Sequence, residues 1–254
     1  MRVLNIIVPV FGLFIGSLLN LYIDGLHSES PNVFCPSCRK PAKAWQRIPL
    51  LGYLLSGGRC ARCKAPVSIR YLLMELAAAS ICFVFFRKYG LSLEACARAL
   101  FVLLLVLISF IDVRDGTVPD TLSIGGLFAG FVLAFFRKPL FFYQDALWGI
   151  LACGGIALLV VLCCRIFIKR EVMGLGDITL LCMIGAFCGL KGAVFSVVAG
   201  SLFGVLIGMP LMMAKGKTAG YAIPFGPFLS LGALLFMFYG NSLIYRFLTF
   251  VSGR

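Results

Sequence analysis

The chain is short of the side chains that most soluble enzymes use for catalysis. It has one histidine, His27, and ten acidic residues among 254. A single histidine excludes the HExxH zinc proteases, which need two on one helix face. There is no G-x-S-x-G and hence no nucleophile-elbow serine. There is no Walker phosphate loop and no G-x-G-x-x-G dinucleotide loop. Low-complexity tracts and convincing internal repeats are also missing, and only 13% of the residues are charged. Each acid that remains is therefore informative.

What is present is apolar. Hydrophobic residues make up 61% of the chain and the mean hydropathy is +1.03. No soluble globular domain needs that much apolar material. Apolar runs of spanning length, roughly 17 to 25 residues, recur from one end to the other. The expected fold class is an all-α polytopic membrane protein. About eight spans are predicted, near 3–22, 71–87, 96–112, 121–136, 145–165, 177–190, 193–213 and 225–249. The first run is too long for a signal-peptide core and no A-x-A-like site follows it, so it is read as a retained span. The expected organisation is a first transmembrane helix over 1–23, a polar loop domain over 24–70 and a helix bundle over 71–254.

The net charge of +13 is read as topology rather than as a nucleic-acid footprint. With eight spans, the side that holds the 24–70 loop receives the larger share of the 23 basic residues. That loop is expected in the cytoplasm, with both termini on the outer side. Arg87, Lys88, Arg137 and Lys138 fall on the outer side, beside aromatic residues that suit interfacial anchoring. Gly200, Gly204 and Gly208 recur at four-residue spacing, a pattern that lets membrane helices approach closely.

Four of the eleven cysteines are paired as Cys35-x-x-Cys38 and Cys60-x-x-Cys63. Two such pairs form a zinc-ribbon pattern, because each turn offers two thiolates and two turns close a tetrahedral site. Disulfides are disfavoured in the cytoplasm, and neighbouring Arg39, Arg59 and Arg62 favour thiolates. A structural Zn2+ on Cys35, Cys38, Cys60 and Cys63 is predicted, with no open position for catalysis. A basic zinc ribbon could bind nucleic acid, but no aromatic-rich surface accompanies this one, so no nucleic-acid partner is expected. The remaining seven cysteines lie in or beside spans and read as small apolar residues.

Two acids stand apart. Asp112 closes the third span in ISFIDVRDGTVPD, and Asp177 opens the sixth in VMGLGDITLL. A carboxylate at membrane depth is costly, at least a few kcal/mol. An acid at a helix start favours the helix dipole, which accounts for Asp120 and partly for Asp177. It accounts poorly for Asp112, at a helix C-terminus. Two carboxylates brought together share one proton, so that one can activate water while the other polarises a peptide carbonyl. That is aspartyl-protease chemistry. A proton relay in a transporter also uses intramembrane acids, but those belong near the midplane.

These motifs, in this order, are where a family resemblance is carried. FGLFIGSLLN, CPSC, IPLLGYLLSGGRCARC, RYLLMELAAA, FIDVRDGTVPD, GLGDITLL and IPFGPFLSLGAL run along nearly the whole chain. The chain resembles the bacterial type IV prepilin peptidases, which act in type IV pilus assembly and type II secretion. The resemblance implies an intramembrane aspartyl protease of the G-x-G-D type with Asp112 and Asp177 as its catalytic pair. It implies prepilin or pseudopilin substrates with a short basic leader, cut at the cytoplasmic edge of the bacterial inner membrane. It also implies N-methylation of the new N-terminus from S-adenosylmethionine, for which the sequence has no independent motif. Another G-x-G-D protease is the nearest alternative, and the double Cys pair and long polar loop argue against it. The chain departs from the family at Thr179, usually lysine, and at Asp24 to His27, where an arginine is usual.

Overall fold

The computed structural model describes residues 3–26, 38, 48–136, 143–167, 174–208, 210 and 224–251. It is helical throughout. Among the described residues the only β-type pairing is an isolated bridge between Arg59 and Pro66. The helices are α1 (Leu4–Gly25), α2 (Leu51–Leu55), α3 (Arg70–Tyr89), α4 (Leu93–Asp115), α5 (Asp120–Phe136), α6 (Tyr143–Trp148), α7 (Gly155–Phe167), α8 (Leu175–Phe203) and α9 (Gly226–Val251). A widened, π-type segment, Gly149–Gly154, joins α6 to α7, and another, Gly204–Gly208, extends α8.

Among the described residues four helical stretches are long and apolar enough to cross a membrane: Leu4–Gly25, Leu93–Asp115, Tyr143–Cys163 and Leu175–Gly208. This is a polytopic helical membrane protein. Within the described residues each of the eight predicted spans falls on a helix, but the criterion of length and composition is met by four stretches, which carry five of those spans. The physical reasons are visible in the sequence. Helix α3 carries Arg70, Glu75, Arg87 and Lys88, while Asp120–Phe136 is 17 residues long. The predicted spans 177–190 and 193–213 meet in one helix, broken in backbone conformation at Gly189 (φ 70°, ψ −176°).

The chain divides into two compact units, 1–99 and 100–254. In the first, α1 packs along α3. Gly12 and Gly16 make this possible. A Cβ at Gly12 would lie 2.6 Å from the Ala79 Cα, and one at Gly16 2.5 Å from the Glu75 Cα. Backbone meets backbone here, so nothing can yield. The other face of α1 leaves Ile6, Val10, Phe11, Phe14 and Leu18 exposed, as lipid contact requires. Polar side chains close one end of the pair. Asn20 Nδ2 donates to the Tyr71 carbonyl at 3.0 Å, while Arg70 and the Tyr71 hydroxyl donate to Asp24 at 2.5 and 2.8 Å. Asp24, in the stretch that departs from the family pattern, thus has its cation on α3.

Gly16→Leu should force α1 off α3 at a cost of about 1–3 kcal/mol or more, as overpacking of a rigid contact does. Thermal unfolding in detergent should show a clear drop in midpoint. Gly25→Ala, which meets nothing within 4 Å, should not.

In the second unit the core forms between α4, α8 and α9. Phe101, Leu105 and Ile108 meet Leu180, Met183, Ile184 and Phe187, with Leu229 and Ala233 from α9. The Phe101 and Phe187 rings stack at 4.7 Å. Glycines again set the closest approaches. A Cβ at Gly185 would lie 2.5 Å from the Gly149 backbone, and one at Gly232 2.6 Å from the Ser196 carbonyl. Of the predicted glycine ladder, Gly200 packs against the Leu229 backbone, whereas Gly204 has only the Phe228 ring edge at 3.9 Å.

Candidate functional site

Helix α4 ends because Gly116 adopts φ 69° and returns its N–H to the Asp112 carbonyl at 2.8 Å. That is a glycine C-cap, and it leaves Asp112 in the last turn of α4. The side chain is 3% exposed. A carboxylate there opposes the dipole of its own helix. The structure supplies the compensation from elsewhere: the Gly226 N–H, at the start of α9, donates to Asp112 Oδ2 at 3.0 Å. Asp112 therefore lies at the C-terminus of one helix and against the N-terminus of another, where free N–H groups favour negative charge.

Asp177 lies in the first turn of α8, with its N–H on the Gly174 carbonyl at 3.1 Å. The two predicted acids come from separate helices, and the glycines beside them, Gly176 and Gly226, lie against one residue. Val118, in the connection between α4 and α5, fills the space between their supports. A Cβ at Gly176 would lie 2.8 Å from the Val118 Cβ, and one at Gly226 3.4 Å from Val118 Cγ2. Gly176 is small because Val118 occupies the room a side chain would need. Gly174 is the exposed one, with an extended backbone at ψ 147°.

Thr179, two residues past Asp177, donates to the Gly176 carbonyl at 2.9 Å and to Asp120 Oδ1 at 3.4 Å. Asp120 is exposed in the first turn of α5, as its helix-start reading requires. Asp115 is exposed and pairs with Arg114 at 3.7 Å, and Asp145 is exposed in the first turn of α6. None of these three shares the buried setting of Asp112.

The sequence reading missed the parts played by Gly226 and Val118. IPFGPF was visible as a motif, but nothing local tells that its glycine N–H meets an acid on α4. That contact is a matter of tertiary packing.

A second cluster lies in residues 1–99. The Sγ atoms of Cys38, Cys60 and Cys63 lie within 4.8 Å of one another. Cys35 lies outside the described residues. The chain around Cys60 and Cys63 is a tight knuckle. Val67 donates to the Gly58 carbonyl at 2.7 Å, Cys60 to the Ala65 carbonyl at 2.9 Å and Lys64 to the Cys60 carbonyl at 2.9 Å. Gly57, Gly58 and Lys64 all take positive φ to make the turn. Thiolates around a tetrahedral zinc with bonds of ~2.3 Å sit about 3.8 Å apart. The three described sulfurs, within 4.8 Å of one another, could hold a metal ion.

Two family descriptions match the chain: the Bacterial Peptidase A24 N-terminal domain over residues 10–89 and the Type IV leader peptidase family over residues 99–209. Three curated relatives are each called prepilin leader peptidase/N-methyltransferase. The protein from Legionella pneumophila is 31% identical over 94% of this chain and 92% of its own. That from Stutzerimonas stutzeri is 32% identical over 92% of this chain and 78% of its own. That from Pseudomonas aeruginosa is 32% identical over 88% and 77%. No solved structure matches the chain. Two matched segments that follow one another along the chain, with identity sustained from end to end, establish that the chain belongs to the type IV leader peptidase family.

Proposed function

We propose that the protein is an aspartic endopeptidase of the bacterial inner membrane, with Asp112 and Asp177 as its catalytic pair. It removes the short basic leader of type IV prepilins or pseudopilins and then methylates the new N-terminus. What supports the proteolytic reading is that acids on α4 and α8 are flanked by glycines packed on the same Val118, and that one acid is buried and held by the Gly226 N–H. Both acids lie in terminal helical turns, which favours chemistry at a membrane edge over a midplane proton relay.

In this scheme the carboxylate of the pair takes a proton from water, whose oxygen bonds to the scissile carbonyl carbon. The protonated partner donates to the carbonyl oxygen. Collapse breaks the C–N bond, and the leaving amine takes up a proton from the pair. S-adenosylmethionine, when bound, supplies the methyl group that the freed amine takes up.

The finer organisation follows the same reading. Residues 1–23 are the first membrane helix, 24–70 a cytoplasmic loop domain and 71–254 the protease bundle. All eight helical spans cross the bilayer, with both termini on the outer side. Cys35 completes a four-cysteine zinc site with Cys38, Cys60 and Cys63, and the ion holds the loop together without touching substrate.

The direct test is incubation of the purified protein in detergent with a prepilin and S-adenosylmethionine, followed by mass spectrometry of the product N-terminus. Cleavage after the leader, with a methyl group on the new amine, is expected. An uncut prepilin would overturn the reading. Elemental analysis should find about one zinc per chain, lost in a Cys60→Ser, Cys63→Ser variant, because metal affinity here is folding energy. That variant should lose methylation while retaining cleavage. Gently purified protein without metal would remove the zinc site.

A further inference from the structure

Among the described residues two carboxylates are buried. One is Asp112. The other is Glu75, on α3, at 8% exposure, for which the peptidase reading has no use. A buried carboxylate is costly unless its oxygens are satisfied. The one measured partner of Glu75 is neutral: the Leu50 N–H donates to Oε2 at 2.7 Å, and the Ser17 side chain of α1 lies beside the carboxyl. The Glu75 Cα is itself pressed against Gly16, so the side chain cannot move away with its backbone. Glu75 thus ties three segments: its backbone in α3 packs on α1 at Gly16, and its carboxyl holds the arm that starts at Leu50.

That arm is the one that bears the metal-type cysteines. Leu50 leads into α2, a turn through Gly57 and Gly58, and then the knuckle of Cys60 and Cys63. Leu50 has φ 63° and ψ −54°. A leucine is rarely left-handed, and such a conformation persists only where its surroundings over-determine it. Here it turns the Leu50 N–H onto Glu75.

We infer that Glu75 is a positioning residue for N-methylation: it docks the cysteine-bearing arm onto the α1–α3 pair, and methyl transfer depends on that docking while peptide cleavage does not. This rests on the proposed two-activity reading. Asp112, Asp177, Gly226, Val118 and Thr179 all lie in residues 100–254, whereas Glu75, Ser17 and the arm lie in residues 1–99, which a separate family description matches. The acid pair is sufficient for hydrolysis, so the second activity falls to the first unit.

The test uses the full chain in detergent, with a prepilin and S-adenosylmethionine. Cleavage and methylation are counted by mass spectrometry, and hydrogen exchange is followed over residues 48–67. Glu75→Ala orphans a buried N–H and should lower methylation about tenfold or more. Exchange in the arm should rise, and cleavage should stay within about twofold. Glu75→Gln keeps a carbonyl that accepts the Leu50 N–H and should retain methylation within about threefold. Leu50→Gly keeps the N–H and takes positive φ without strain, so docking and methylation should persist. Methylation at the wild-type rate in Glu75→Ala, or cleavage lost in the same proportion, would overturn the inference. So would a Glu75→Gln arm that stays docked without methylation. If Glu75→Ala fails to fold, exchange in Glu75→Asp decides: the carboxyl is drawn back by one methylene from the Leu50 N–H, and an arm as protected as in the wild type overturns the docking. A wild-type protein that cleaves without methylating would sink the two-activity reading instead.

Discussion

Asp112→Asn and Asp177→Asn should each abolish prepilin cleavage, by about 10²–10⁴-fold or more, the usual scale for losing a positioned acid or base. Either change leaves one titratable carboxyl, so the shared-proton arrangement is gone. Neither should unfold the protein. Asn at position 112 still offers an oxygen to the Gly226 N–H, which Ala would not. Glutamate is a poor substitute at both positions, because one added methylene moves the carboxyl beyond the roughly 0.5 Å tolerance of a preorganised site. Asp115→Asn, Asp120→Asn and Asp145→Asn are the controls and should keep substantial activity, since all three residues are exposed at helix ends. The measurement is the cleaved fraction of a prepilin over time, with circular dichroism to establish folding. Full cleavage by a folded Asp177→Asn variant would end the assignment.

How much of this was legible in the sequence depends on whether a feature is carried by residue identity and spacing or by packing. The helical membrane class was written in the apolar runs, and each predicted span falls on a helix. Asp112 and Asp177 could be singled out because acids are scarce, and the cysteines because two pairs at short spacing are specific. The glycines were legible only in part. Gly174 and Gly176 read as an approachable backbone, yet Val118 fills the space at Gly176. Gly200 packs closely as its spacing suggests, while Gly204 opens a widened segment. Such differences turn on which residue the fold brings opposite, and a periodic pattern does not specify that. Glu75 was invisible for the same reason. Its partners come from α1 and from a strained leucine whose backbone conformation no propensity would assign.

Gly226 offers the sharpest test of the geometry, because changing it alters the site while both acids are kept. A Cβ added there would lie 2.6 Å from Asp112 Oδ2 and 3.3 Å from its Cγ. Real Cβ atoms do not tolerate such a contact with a carboxyl held by a hydrogen bond, so the Asp112 side chain must swing off the Gly226 N–H. It cannot swing far within a buried setting at 3% exposure. The backbone N–H survives in Gly226→Ala, so what the variant changes is position. A displacement of about 1 Å in a reacting group can cost 10²-fold in rate, and that is the loss expected in prepilin cleavage. The effect should fall on kcat more than on KM, because the misplaced group acts in the transition state. Gly125→Ala, where nothing lies within 4 Å, controls for the general effect of a glycine change in a membrane helix. If Gly226→Ala cut prepilin at the wild-type rate, the carboxyl held by α9 would not be the one that does the chemistry, and the acid partner of Asp177 would have to be sought among Asp115 and Asp120.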